Sequence, residues 1–354
     1  DEPLRNNLKP SECVKNSIYP SGHDFRHSMG RLSIAIVSLS QLTAFPVKGM
    51  RLMYTKKAGL RTGSILIAKI LVLTLVLVVL SGIGSQMLPA NIADNASAVD
   101  SVAASPVTAP ISLILAIMLC QVLALTLPIV RSRWHGWRLA LAMFVIFFGT
   151  QTFMSQIESV VYLGGKMPQG LVTGLFMMGL FVAAVFSPLA VLLLGRWKSA
   201  ATSENFGRNT LNLGRAGWRV WLAGLVFLCL YYLFGYYIAW QDPDLRAYYA
   251  GTDPGSFFAQ MQSVAVNTPW MLPVQYLRGL LWVGLGLLII YSMRGPGWHA
   301  GLACALLFSV PALYLLLPNP VMPDFPRITH FVETLPYQFL FGWFLSIFLI
   351  KSES

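Results

Sequence analysis

Eight stretches of this chain are apolar over the length of a membrane-crossing helix: residues 64–88, 110–130, 138–161, 170–195, 218–240, 272–293, 298–317 and 331–350. A hydrocarbon core of about 30 Å needs about 20 residues of helix, because backbone N–H and C=O groups must bond one another where water is absent. The expected fold class is therefore all-α, a polytopic transmembrane helical bundle of about eight helices. Charged residues make up only 11% of the 354 positions and apolar ones 56%, whereas soluble domains are roughly one quarter charged. The third and fourth stretches are separated only by residues 162–169, where Gly164, Gly165 and Pro168 predict a tight turn.

Lys and Arg in the connectors set the orientation, since basic connectors stay cytoplasmic. With the segment before the first helix inside, sixteen basic residues from Lys48 to Lys351 fall on the inner side. Four fall outside: Lys166, Arg246, Arg278 and Arg327. Acidic residues run the other way, with only Glu204 and Glu353 inside among those after residue 49. The bias alternates at every connector and predicts both termini inside. It also disposes of the net charge of +11 as a nucleic-acid signal, because the basic residues do not gather on one solvated face.

Residues 1–49 stand apart from a transmembrane domain spanning 50–354. Residues 1–30 are polar and rich in Pro, Ser and Asn, which predicts weak order. Residues 32–46 are apolar but broken by Ser, Gln, Thr and Pro, too short to span and closer to an interfacial helix. Met50 or Met53, ahead of the basic run from Lys56 to Arg61, is the alternative natural start. Cys120, Cys229 and Cys304 lie in apolar runs and Cys13 is alone, so none has zinc or redox spacing; buried packing is the expectation.

The connector with Arg133, Trp134, His135, Gly136 and Trp137 resembles the one with Arg294, Gly295, Pro296, Gly297, Trp298 and His299. A four-plus-four internal repeat would account for this. So would the general preference of membrane-edge turns for Arg, Gly and Trp.

Chemistry in such a chain rests on ionisable residues within the apolar stretches, where a charge costs about 2.5–3.5 kcal/mol even on the lenient scale. Glu158, Arg278, His330 and Glu333 stand out, whereas Lys69 sits near a helix end and can snorkel. Gln151, Ser155 and Glu158 follow i, i+4, i+7 spacing and share a helix face. Gln275 lies one turn before Arg278. His330 and Glu333 are three apart, with Arg327 one turn before and Tyr337 one turn after. All belong to the outer end, so Gln151, Glu158, Arg278, Arg327, His330 and Glu333 are the candidate ligand-binding residues.

Three readings of this set stay open. Arg278 and Arg327 can neutralise Glu158 and Glu333 in a buried structural network. The same groups can form a substrate or proton site, as transporters build with inward polar stripes. Or His330, Glu333 and Glu158 can hold a metal, although a single His-x-x-Glu lacks the paired arrangement of helical di-metal sites. No HExxH, P-loop, dinucleotide glycine fingerprint or Gly-x-Ser-x-Gly elbow occurs, and no cofactor is called for. The outer loop 241–271 interleaves Asp242, Asp244 and Asp253 with Tyr248, Tyr249, Phe257 and Phe258, which suits an interfacial helix or a binding lid.

The run Leu316, Leu317, Pro318, Asn319, Pro320, Val321, Met322, Pro323, followed by Arg327, His330, Glu333, Phe341 and Gly342, resembles a pattern in a group of uncharacterised bacterial multi-pass membrane proteins. Residues 151–158 and the loop near Trp240 fit the same group from about residue 110 onward. The resemblance implies the bacterial inner membrane and carries no activity. The leading expectation is a permease-like or ligand-binding protein with an outward-facing polar pocket and membrane lipids as partners. The alternatives are a non-catalytic subunit among other membrane subunits, or a membrane-embedded enzyme acting on an amphiphile at the outer leaflet.

Overall fold

The computed structural model describes residues 56–89, 109–163, 167–198, 213–249, 251–253, 255–318 and 322–350. The polar and interfacial stretch expected over 1–49 lies outside them. The chain separates into two units, Asp1–Gly63 and Ser64–Ser354. The described part of the first unit is the helical start over 56–63, and everything below concerns the second.

Helix α1 (Lys56–Gly84) ends in a 3-10 turn, Ser85–Met87, and α2 spans Ile111–Val130. Helix α3 begins as Gly136–Phe148, passes through a π-helical turn at Gly149–Phe153 and continues as Met154–Leu163. Helix α4 is Leu171–Leu193, and α5 is Leu213–Phe234 followed by a second π turn, Gly235–Ala239. Two short helices follow, α6 (Pro243–Tyr248) and α7 (Phe257–Asn267). Helix α8 is Met271–Ser292, α9 is Gly297–Ser309 with a 3-10 extension Val310–Leu316, and α10 is Asp324–Leu349. Eight of these, α1 to α5 and α8 to α10, are long and apolar enough to cross a membrane. The protein is an all-α, multi-pass membrane bundle.

The stretches long and apolar enough to cross a membrane fall within two residues of the sequence expectation, with one exception. Helix α10 starts at Asp324, a full two turns before the apolar stretch. Pro326 is tolerated in its first turn, where an N–H would have no helical partner. Residue 162 also differs, being helical in α3 rather than part of a turn. The turn comes later, where Gly170 adopts φ 81° ahead of α4.

Helix α3 packs along α4, α9 along α10 and α5 along α8, while α2 meets α9 and α3 meets α8. Glycines set the closest approaches. A Cβ on Gly342 would lie 2.6 Å from the backbone of Cys304 and Ala305, and one on Gly279 would lie 2.9 Å from the Gly224 carbonyl. Ile67, Leu71, Leu75 and Val79 of α1 are exposed, as a lipid-facing stripe must be. Cys120 and Cys229 are also exposed and only Cys304 is buried, which corrects the packing role expected for all three. Apolar runs in a membrane face lipid as readily as protein.

The end of the bundle that loop charge assigns to the inside holds the two aromatic turns, and they pair with each other. Arg133 N–H donates to the Ser292 carbonyl and Arg294 N–H to the Arg131 carbonyl, each at 2.9 Å. The offset that carries Arg133 onto Arg294 also carries Gly136 onto Gly297 and Phe148 onto Ser309, the limits of the equal 13-residue helices opening α3 and α9. The two turns meet in an antiparallel bridge between Ser132 and Met293. The Arg133 guanidinium lies 3.6 Å from the Tyr291 ring centroid and that of Arg138 lies 4.5 Å from Trp134.

Candidate ligand site at the outer ends of α3, α5, α8 and α10

Arg278 enters the bundle on α8 and is only 3% exposed. Its Nη2 lies 2.7 Å from Glu158 Oε2 on α3, and its Nη1 donates to Gln275 Oε1 at 3.1 Å. Gln275 Nε2 donates to the Tyr162 hydroxyl at 2.8 Å, and Tyr162 is hydrogen-bonded to the Tyr231 hydroxyl of α5. The guanidinium also sits 5.9 Å from the ring centroids of Phe227 and Tyr231. One buried cation is thereby held by a carboxylate, an amide and two aromatic faces.

A second pair stands on α10. His330 Nδ1 is 3.0 Å from Glu333 Oε2, and His330 Nε2 is 2.9 Å from the Tyr249 hydroxyl. Burial pushes the Tyr249 phenol well above its ordinary range, reinforced by Tyr248, Glu158 and Glu333, so it stays a neutral hydroxyl. A neutral imidazole satisfies this chain, accepting from the Tyr249 hydroxyl at Nε2 and donating from Nδ1 to Glu333 Oε2. Gly235, in the π turn of α5, leaves room for the carboxylate, since a Cβ there would lie 3.3 Å from Glu333 Oε1.

The outer loop that sequence marked as a cover or lid supplies Tyr249. Asp242 caps α6 by accepting from the N–H groups of Asp244 and Leu245, and Pro243 at the first helical position pre-sets the turn. Asp242 Oδ2 also accepts from Thr329 Oγ1 at 3.0 Å, tying the loop to α10. Tyr249→Phe is expected to loosen this tie by about 1 kcal/mol. Hydrogen exchange over Pro243–Tyr248 should then quicken, and unchanged protection would remove Tyr249 as the anchor.

Tyr162, Tyr231 and Tyr249 line one cavity of about 1120 Å³ together with the charged groups. Glu158, Arg278, His330 and Glu333 are its ionisable carboxylate, guanidinium and imidazole groups, and they sit together at the outer end. Leu77, Met118, Phe147 and Phe308 wall the deeper part, and both π turns border it. Single π turns recur at functional sites because the extra residue re-aims the side chains that follow. Several buried polar atoms along the cavity have no hydrogen-bond partner: Arg278 Nε, Trp282 Nε1, Gln156 Oε1, Gln338 Oε1 and the Tyr232 hydroxyl.

Gln151, Glu158, Arg278, His330 and Glu333 all line the cavity. Arg327 does not. It bonds Asp324 Oδ1 at 2.6 Å and the Leu315 carbonyl at 2.5 Å, because the early start of α10 puts Asp324 one turn below it. Neutralisation of Glu333 by an arginine is therefore replaced by its contact with His330. With Glu158 committed to Arg278, the His330–Glu333 pair lacks a third ligand, and no metal-holding group of three His, Cys, Asp or Glu occurs among the described residues. Sequence reading missed Tyr162, Tyr231 and a polar layer at mid-depth, where Gln121 Nε2 donates to Gln151 Oε1 at 2.6 Å and Gln338 faces the cavity. A lone glutamine inside an apolar run was the available signal for Gln121 and Gln338.

The chain matches no known protein family, no curated protein and no solved structure.

Proposed function

We propose that this protein is a permease-like carrier or receptor that takes an amphiphilic ligand into the cavity, polar group outermost. In this reading it lies in a bacterial cytoplasmic membrane with both termini inside. The observation that carries it is a 1120 Å³ chamber, walled in part by Leu77, Met118, Phe147 and Phe308, with its ionisable side chains gathered at one end. Ligand chambers of about 300–1,000 Å³ with a few convergent polar groups are the usual small-molecule sites, and this one is slightly larger than that range. The loop-charge bias and the resemblance to bacterial multi-pass proteins support the location.

The test is to purify the full chain in nanodiscs, extract bound amphiphiles for mass spectrometry, and assay counterflow of the recovered compound in liposomes. Wild-type protein should retain an exchangeable amphiphile. Ser155→Trp, which fills the chamber beside Glu158, should cut its occupancy about tenfold or more. No retained compound and no counterflow would end this reading.

A second reading, an enzyme acting on an amphiphile at the outer leaflet, draws on the hydroxyl–imidazole–carboxylate chain of Tyr249, His330 and Glu333. Chemical change of the ligand on incubation with the protein, lost in His330→Gln, would favour it over carriage.

A further inference from the structure

We infer that the polar group of the ligand is an organic cation, a lipophilic amine or a quaternary onium centre, held against Glu333 and the tyrosines around it. This deepens the proposed function and rests on it.

The charge inventory carries the argument. Among the described residues, two carboxylates, one guanidinium and one imidazole line the chamber. Arg278 is committed to Glu158 at 2.7 Å, leaving Glu333 with a single partner, His330. When the imidazole is neutral, the described residues that line the chamber carry one negative charge in excess. An uncompensated carboxylate among apolar walls is costly, and two things relieve it: a proton on His330 or a cation in the chamber. An anionic ligand would find Arg278 already neutralised and Glu333 repelling it.

The surroundings of Glu333 suit a cation independently. Tyr162, Tyr231, Tyr232, Tyr236, Trp240 and Tyr249 line the same end, and their π faces attract onium groups. Glu333 is only 5% exposed, and its contact with His330 falls on Oε2. The glycine at 235 keeps open the space beside Oε1. Deeper on the same helix, Gln338 is 1% exposed with its Oε1 unpartnered, a further acceptor facing the chamber.

Cation and proton then compete. The groups that act on His330 are Glu333 on its own helix, Glu158 from α3 and the Tyr249 hydroxyl at Nε2, with Tyr162, Tyr231 and Arg278 lining the same chamber. Asp242 sits beside it through Thr329, and Arg246 is tied to Asp253 and the Trp240 carbonyl. As pH falls and His330 takes a proton, Glu333 is neutralised from within and cation affinity drops; where His330 is protonated, cation binding releases that proton.

The experiment uses the full chain in nanodiscs with two probes of nearly equal size and opposite charge, tetraphenylphosphonium and tetraphenylborate. The phosphonium should bind about tenfold or more tighter than the borate. Its affinity should fall between about pH 8 and about pH 6, and its binding should release protons into a weakly buffered medium. Glu333→Gln should weaken phosphonium binding about tenfold or more and abolish the proton release. If that variant does not fold, Gly235→Ala, which crowds Oε1 without removing the charge, should weaken the phosphonium alone. Tighter borate binding, or unchanged phosphonium affinity in a folded variant, overturns the inference. If an uncharged or anionic amphiphile co-purifies and the phosphonium fails to bind, the chamber reading stands and the cation does not. If nothing binds or co-purifies, both fall.

Discussion

Glu158→Gln is expected to lower unfolding stability by about 3–5 kcal/mol, the range for breaking a buried ion pair from one side, while Arg278→Met costs less than half as much. The pair is lopsided. Arg278 is 3% exposed and the Glu158 side chain 35% exposed. Removing the carboxylate strands a guanidinium that cannot reach water, since Gln275 and two aromatic rings accept its hydrogen bonds or face it but cannot neutralise it. Removing the guanidinium leaves Glu158 at the chamber wall with partial access to water. Its exposure puts the first figure towards the lower end. The double variant should recover most of the loss, because it removes both the charge and its obligation. Denaturant unfolding in detergent for the four proteins measures this. Equal single-variant costs, or strictly additive ones, would show that the pair is not a buried electrostatic unit.

Gly342→Val should be as damaging, for a steric reason. The new side chain would start 2.6 Å from the backbone of Cys304 and Ala305. A backbone segment cannot swing aside like a side chain, so α9 and α10 must separate along one of the most extensive helix pairings of the bundle. Overpacking in a core costs typically 1–3 kcal/mol, and backbone contact places this case at about 3 kcal/mol or more. Membrane helices associate through such close approaches, since lipid supplies no competing drive to bury apolar surface. Gly284→Val is the control, because nothing lies within 4 Å of a Cβ at that position. Size-exclusion profiles of the two variants should differ sharply, with only Gly284→Val remaining monodisperse. A monodisperse, normally stable Gly342→Val protein would refute the packing argument.

What the sequence determined alone is the number of spanning helices, nearly all of their limits and the depth of the ionisable residues. The physics is one-dimensional. Hydrocarbon thickness sets helix length and the cost of charge sets how deep an ionisable residue lies, and both act position by position along the chain. Helix α10 escaped because its first two turns are polar and stand outside the apolar stretch, where hydropathy is silent and proline geometry decides. That early start also took Arg327 away from Glu333.

Partner choice was decided only by tertiary structure. Spacing placed Glu158, Arg278, His330 and Glu333 at one depth, but which carboxylate faces the arginine depends on how α3, α5, α8 and α10 rotate about their axes. Glycine contacts and two π turns set that rotation, and neither leaves a periodic mark in the sequence. Tyr162, Tyr231 and Tyr249 were equally illegible as site residues, since a tyrosine at a membrane edge reads as an interfacial anchor until its hydroxyl is seen to face another polar group. The surplus carboxylate that points to a cationic ligand therefore exists only in three dimensions: it is a difference between neighbours, and the fold chooses the neighbours.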